Sequence, residues 1–375
     1  MKLEIREIST KRELKQFVKF QNILYKDHPC YIPTLESDDL NTLNWAKNPA
    51  FDFCDVIYFM AYRDNKPVGR IAGIINNIVN SKEGKLRARF GFVDFVDDAQ
   101  VADALFAAVV NWARERGMTQ LHGPLGFSDM DPEGMLVEGF DQLGTMVTIY
   151  NHPYYMAHLE RMGFAKDADW VEFKIAIPAE VPDKYNRMAQ LIAQKHNLRV
   201  VKCTSRKETM DKYGTKLFEL VNLAYNDLYG YSPLTGKQIK HYVDLYLPML
   251  KLNNLTLIED QSGELIAMSV AMPSIAKALQ KSGGKLFPFG FIHLLRALKG
   301  RNDVAELLLI AIKPEYQNKG LISMIFSDII PVFNKNGYKY AESNPELELN
   351  TKVQNQWQLL EREQHKRRRI YLKEI

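Results

Sequence analysis

Cysteine is scarce in this chain: Cys30, Cys54 and Cys203 are far apart and odd in number. They form neither a disulfide framework nor a metal-ligand spacing, so no metal is expected and a reducing, cytoplasmic compartment fits. Net charge is small too, +4 over 375 residues, which selects no anionic partner by itself. No apolar run approaches the roughly 20 residues of a membrane-spanning helix. The opening MKLEIREIST alternates charged and apolar residues as an amphipathic strand would. These absences lead to the expectation of a soluble protein, or one resting on the inner face of a membrane. The basic tail His365-Lys366-Arg367-Arg368-Arg369 lacks an accompanying groove-reading module. It reads as a charged edge strand, which argues against nucleic-acid binding.

What is present is ordinary globular material, 46% hydrophobic and 25% charged, in a length that suits two domains. Periodicity predicts a strand near Lys2 to Ile8 and a helix opened by the capping box Thr10-Lys11-Arg12-Glu13. Strands follow at Val56 to Tyr62, Pro67 to Ile75 and Arg89 to Val96. A helix from Ala99 to Arg116, a short strand at Met118 to His122, a helix at Pro153 to Met162 and a strand at Asp167 to Ile177 complete the first half. After the Pro-punctuated linker Ile177 to Pro182 the order repeats. A strand at Arg199 to Cys203, helices near Met210 to Tyr229 and Thr235 to Leu245, and strands at Asn254 to Asp260 and Glu264 to Met272 are expected. A further strand and helix, a strand at Tyr338 to Ser343, a helix near Asn350 to Glu363 and a last strand at Arg368 to Leu372 follow. The expectation is therefore an internal duplication with domains at 1–177 and 178–375.

The strongest local signal is Leu307 to Phe326, LLLIAIKPEYQNKGLISMIF, a buried strand, a turn and an apolar helix. Free N–H groups at the start of such a helix can hold a phosphate, and Gly320 allows close approach. The segment Gln317-Asn318-Lys319-Gly320-Leu321-Ile322 resembles the coenzyme A pyrophosphate loop of the GNAT superfamily, with Ile322 where that pattern has Gly or Ala. Further runs extend the resemblance over nearly the whole chain. They are Gly123-Pro124-Leu125-Gly126-Phe127-Ser128, Gly134 to Asp141, Tyr150-Asn151-His152-Pro153-Tyr154-Tyr155, Leu286 to Gly290 and Leu347-Glu348-Leu349-Asn350. They look like a bacterial family of tandem GNAT-fold proteins that includes the bacterial ceramide synthases, which transfer a fatty acyl group from a thioester to a long-chain amine.

The resemblance implies an α/β fold of two tandem GNAT domains, each a mixed central sheet flanked by helices. It also implies an N-acyltransferase using acetyl-CoA or a longer acyl-CoA, with an acyl carrier protein as an alternative donor and a small or lipid-like amine as acceptor. The cofactor would lie along Ile310, Ala311 and Ile312 and on the loop from Gln317 to Ile322, with Asn350 as a further contact. Glu306 and Glu342, on neighbouring parallel strands, are the candidate bases. The helix after the last parallel strand lacks the Tyr that often protonates the thiolate, leaving Tyr371 or Tyr316 as substitutes or an unassisted departure. The first half has Asp97-Asp98 where a phosphate loop would be, and reads as a degenerate domain shaping the acceptor pocket. Its loop Ser128 to Gly144 supplies Asp129, Asp131, Glu133 and Glu138 for an ammonium group, with His152 nearby. The insert around Phe289 and Phe291, framed by cations, reads as an acyl-tunnel wall or as peripheral membrane contact through residues 286–301. A non-catalytic GNAT-fold binding or regulatory protein is the alternative, favoured by Ile322 and the missing Tyr.

Overall fold

The structure is a computed structural model that describes residues 2–350 and 354–375. In chain order the elements are β1 (Leu3–Glu7), α1 (Lys11–Leu24), α2 (Glu36–Thr42), β2 (Cys54–Arg63), β3 (Lys66–Asn76), α3 (Asn77–Glu83), β4 (Arg87–Phe95), α4 (Ala99–Glu115), β5 (Gln120–Gly123), β6 (Met135–Glu138), α5 (Tyr154–Arg161) and β7 (Ala165–Ala176). There follow α6 (Asp183–His196), β8 (Arg199–Val201), α7 (Arg206–Tyr225), α8 (Gly236–Tyr246), β9 (Leu255–Glu259), β10 (Leu265–Pro273), α9 (Ala276–Ser282), α10 (Gly290–Lys299), β11 (Val304–Ile312), α11 (Ile322–Asn336), β12 (Tyr340–Glu342), β13 (Glu346–Leu347) and β14 (Arg362–Glu374).

Two compact units emerge, and each borrows from the other's half of the sequence. The first contains the described chain up to Val171 with Ala276–Leu294 and Lys366–Ile375; the second contains Glu172–Ile275 and Leu295–His365. The unit boundary thus falls inside β7, while the linker at 177–182 connects β7 to α6.

In the first unit the strand order is β1-β2-β3-β4-β5-β14, antiparallel throughout except for β4 with β5. Thr10 and Glu13 form the expected capping box, and α1 buries Leu14, Phe17 and Val18. The β2–β3 hairpin turns through Asp64 and Asn65, both at positive φ, the geometry that matches the twist of a tight hairpin. Helix α4 covers the other face with Val101, Leu105, Val109 and Trp112 buried, and the chain leaves it through Gly117 at φ 74°. Arg70 ties α1 to the sheet: it is paired with Asp94 at 2.7 Å, both nearly fully buried, and also bonds the Phe17 carbonyl and Gln21.

The second unit repeats the pattern, with order β7-β12-β11-β10-β9-β8 through the last residues of β7, and again one parallel pair, β11 with β12. The repetition extends to single residues 200 positions apart. Tyr31 Oη donates to Asn22 at 2.6 Å, and Tyr231 Oη donates to Asn222 at 2.8 Å. Asn22 and Asn222 each donate to a backbone carbonyl twelve residues on, at Thr34 and Leu234. The motif Asn-x-x-Tyr-x5-Tyr-x-Pro, at Asn22 and at Asn222, closes the same turn after α1 and after α7.

The helix after the turn opens at Ile322, as Asn318 (φ 59°) and Gly320 (φ 80°) hold the preceding residues in a turn that no helix can include. One expectation is corrected. Of the helix expected over 350–363, residues 351–353 lie outside the described residues. Beyond them there is a short 3-10 turn at Asn355–Trp357, and β14 begins at Arg362.

Candidate active site

In the second unit the parallel pairing of β11 with β12 lasts three residues: Val304, Ala305 and Glu306 face Tyr340, Ala341 and Glu342. Strand β11 continues to Ile312 without β12 beside it, so the strands part at Glu306 and Glu342, and Leu307 to Ile310 are only half-buried. A bulge accompanies the parting. Val270 is opposite Leu309 and Ala271 opposite Leu307, which leaves Leu308 as the extra residue. Two side chains mark the exposed edge: Asn344 donates to the Leu308 carbonyl at 2.7 Å, and Tyr225 donates to the Ile310 carbonyl at 3.0 Å.

The turn after β11 leads this edge to the start of α11. Gln317, Asn318 and Lys319 are exposed, and Gln317 bonds back to the Ile312 carbonyl. The helix has no side-chain cap. Among the described residues the N–H groups of Asn318, Gly320, Leu321 and Ile322 have no acceptor. Uncapped donors at the positive end of a helix dipole beside Lys319 suit a pyrophosphate. A Cβ on Gly320 would stand 2.9 Å from Ile192 of α6 at a φ that L residues avoid, so this turn needs glycine. The residues present therefore fit a coenzyme A diphosphate. Asn350 is placed less directly: its carbonyl accepts from the Gln354 N–H.

At the vertex of the parting strands Glu306 is buried at 2% exposure and stands in register with Glu342 on the neighbouring strand. Buried His365 of β14 brings Nε2 to 2.8 Å from Glu342 Oε2. Sequence reasoning missed this histidine because it read the run 365–369 only as surface charge. Tyr225 was missed as well: it lies on α7, outside the helix searched for an acid. Tyr371 belongs to the first unit, paired with Gly123 in register. A further carboxyl, Glu346, accepts from the Trp357 indole at 2.8 Å and is pushed up to about 7 by burial.

The first unit treats the equivalent places differently. Strand β4 also parts from β5 after three residues, but its own chain fills the gap: Leu125 N–H donates to Phe90 O, and a Cβ on Gly91 would lie 2.1 Å from Leu125 O. Asp98 caps α4 by accepting from Gln100 and Val101, so a carboxylate occupies the place of a phosphate.

The predicted acceptor residues of this unit separate. Asp131 is committed internally, its carboxylate accepting from the Phe127 and Ser128 N–H groups. Burial raises it to about 6. Glu133 is pushed up to about 8 by burial and then by the Asp129 charge. Arg89, buried in the same neighbourhood, bonds the Gly126 carbonyl and lowers both acids. Glu138 is exposed and paired with Arg367. His152 stacks on Tyr154 within an aromatic cluster with Tyr25 and His28, and burial lowers its pKa. Phe289 and Phe291 line no enclosed tunnel: they are 68% and 40% exposed.

Comparison with known proteins agrees with this geometry. A tandem GNAT protein from the clavulanic acid biosynthesis pathway superimposes with a TM-score of 0.55 at 14% identity, covering 100% of this chain and 98% of that one. A GCN5-related N-acetyltransferase from Sphaerobacter thermophilus gives 0.51 at 8% identity, covering 99% and 95%. At such identities the likeness concerns fold alone. Protein YghO of Escherichia coli K12 is 28% identical over 380 residues, 99% of this chain and 95% of its own length. The bacterial ceramide synthase of Caulobacter vibrioides is 30% identical over 330 residues, 84% of this chain and 82% of its own. No family model matches.

Proposed function

The chain belongs to the family of tandem GNAT-fold proteins that includes the Caulobacter vibrioides ceramide synthase, and from that premise we propose that it transfers an acyl group from an acyl-CoA to an amine, with a long-chain, lipid-like amine as acceptor. The observation that carries the reading is the open edge of β11 running from a buried pair of glutamates to an uncapped helix start. In this reading the diphosphate of the thioester substrate meets the N–H groups of Asn318, Gly320, Leu321 and Ile322 and the Lys319 ammonium. The pantetheine arm runs along Leu307 to Ile312 as an added strand would. Holding thioester and amine together supplies much of the acceleration.

The amine nitrogen attacks the thioester carbonyl carbon, the carbon–sulfur bond breaks, and an amide forms. Glu342, oriented by His365, or Glu306 accepts the proton that nitrogen loses. Tyr225 supplies a proton to the departing thiolate. The likeness to a ceramide synthase supports a long-chain acceptor.

The test is to incubate the protein with palmitoyl-CoA or acetyl-CoA and a long-chain amine, and to measure thiol release against amide by mass spectrometry. Equal amounts of thiol and amide are expected. Ile322, in place of the usual small residue, favours the second reading of a binding protein without turnover. Coenzyme A binding with no amide from any amine tried would select that reading.

A further inference from the structure

Independently of any acyl transfer, we infer that the segment from α9 to α10 is a docking surface for an anionic lipid bilayer. Phe287 is 78% exposed, Phe289 68%, Phe291 40% and Leu295 45%. The Phe287 and Phe291 rings are 6.1 Å apart, so the apolar side chains form a cluster and not scattered single exposures. On α10, Phe291 and Leu295 are one helical turn apart on the exposed side, while Gly290 and Leu294 are buried.

The charge around them has one sign. Residues 275–302 contain Lys277, Lys281, Lys285, Arg296, Lys299 and Arg301 and no Asp or Glu. All six are exposed, and none forms an ion pair among the described residues. Within the first unit the exposed Lys277, Lys281 and Lys285 thus share one short segment with the exposed Phe287, Phe289 and Phe291.

The segment is also held in place. Leu279, Ala276 and Ala278 of α9 are buried, Gln280 donates to the Pro29 and Tyr31 carbonyls, and the Glu36 N–H donates to the Gly284 carbonyl. Exposed aromatic side chains in a segment whose charged residues are all lysine and arginine match the interface of an anionic membrane, where rings settle at headgroup depth and cations meet phosphates. No helix among the described residues is long and apolar enough to cross a bilayer, so the contact is one of surface docking. A second copy of the chain fits less well, because it would set the same six cations against themselves.

Flotation of the full chain with vesicles tests this. Binding is expected to vesicles containing phosphatidylglycerol and not to phosphatidylcholine alone, and it should fall as salt is added. Lys281→Glu and Lys285→Glu should each weaken it about fivefold or more. The triple change Phe287→Ser, Phe289→Ser and Phe291→Ser should abolish it while coenzyme A affinity, which reports on the second unit's loop, is kept. Should the triple variant fail to fold, Phe289→Trp provides the second measurement: its emission should shift to the blue with anionic vesicles only. Equal binding to both vesicle types, or to neither, overturns the inference. So does a wild-type dimer that the Phe variants turn into monomer, or capture of an acidic acyl carrier protein in place of vesicles.

Discussion

The two units carry the same strand order and the same Asn-x-x-Tyr turn, yet one is shut where the other is open. In the first, Leu125 bonds into the gap beside β4, and Asp98 caps the helix that would hold a phosphate. Tyr25 is buried, its hydroxyl 2.7 Å from that of Tyr155. In the second, the edge of β11 is half-exposed and the helix start is uncapped, while the corresponding Tyr225 bonds the strand carbonyl at Ile310. One segment of chain and one carboxylate cap thus close in the first unit what the second leaves open. In the proposed function the division of labour follows from these local hydrogen bonds and not from the fold the units share.

The largest effect is expected at the loop. Gly320→Asp forces a side chain into the space of Ile192 and sets a negative charge at the helix start. Coenzyme A affinity should fall by about two orders of magnitude or more, read by calorimetry. The matching change in the first unit, Asp98→Asn, should leave that affinity unaltered.

Next comes the vertex. Glu342→Gln should lower kcat by about 10² to 10⁴ with thioester affinity kept, and the loss should shrink at high pH as more amine arrives deprotonated. His365→Gln should give a smaller loss together with a displaced pH profile, which a purely structural role would not produce. If both variants turn over normally, the base lies elsewhere. Tyr225→Phe should cost roughly tenfold in kcat, the scale of one hydrogen bond, whereas Tyr25→Phe should affect stability only.

The smallest effect contrasts one buried carboxyl in each unit. Glu133 and Glu346 are held above the ordinary value of 4.5, at about 8 and about 7. The folded chain therefore binds those protons more tightly than the unfolded chain does. Stability from them is fully present below about pH 4.5 and is lost as pH rises through 7 for Glu346 and 8 for Glu133. Glu133→Gln and Glu346→Gln should each stabilise the protein more at pH 8 than at pH 5, by about 1–3 kcal/mol, in thermal melts.

Much of the second unit's candidate site was legible as local structure, because a strand, a Pro turn and a glycine before an apolar helix leave a local pattern. Glu306 and Glu342 followed from assuming parallel neighbours. What long-range pairing creates was hidden. His365 reaches Glu342 only through the sheet, and Tyr225 meets Ile310 from a helix far away in sequence. Asp131 looked like a ligand and proved to be a turn staple, since a carboxylate before exposed N–H groups satisfies them whenever geometry allows. Phe289 and Phe291 kept their apolar letters while the fold turned them outward. The Asn-x-x-Tyr repeat was legible but overlooked, because the duplication was sought in element order and not in the turn that closes α1 and α7.

The central claim is that one unit alone is open to the cofactor. Titration calorimetry of the purified chain with coenzyme A measures this directly. One site per chain is predicted, abolished by Gly320→Asp and kept in Asp98→Asn. Two sites per chain, or a single site that survives Gly320→Asp, would contradict it.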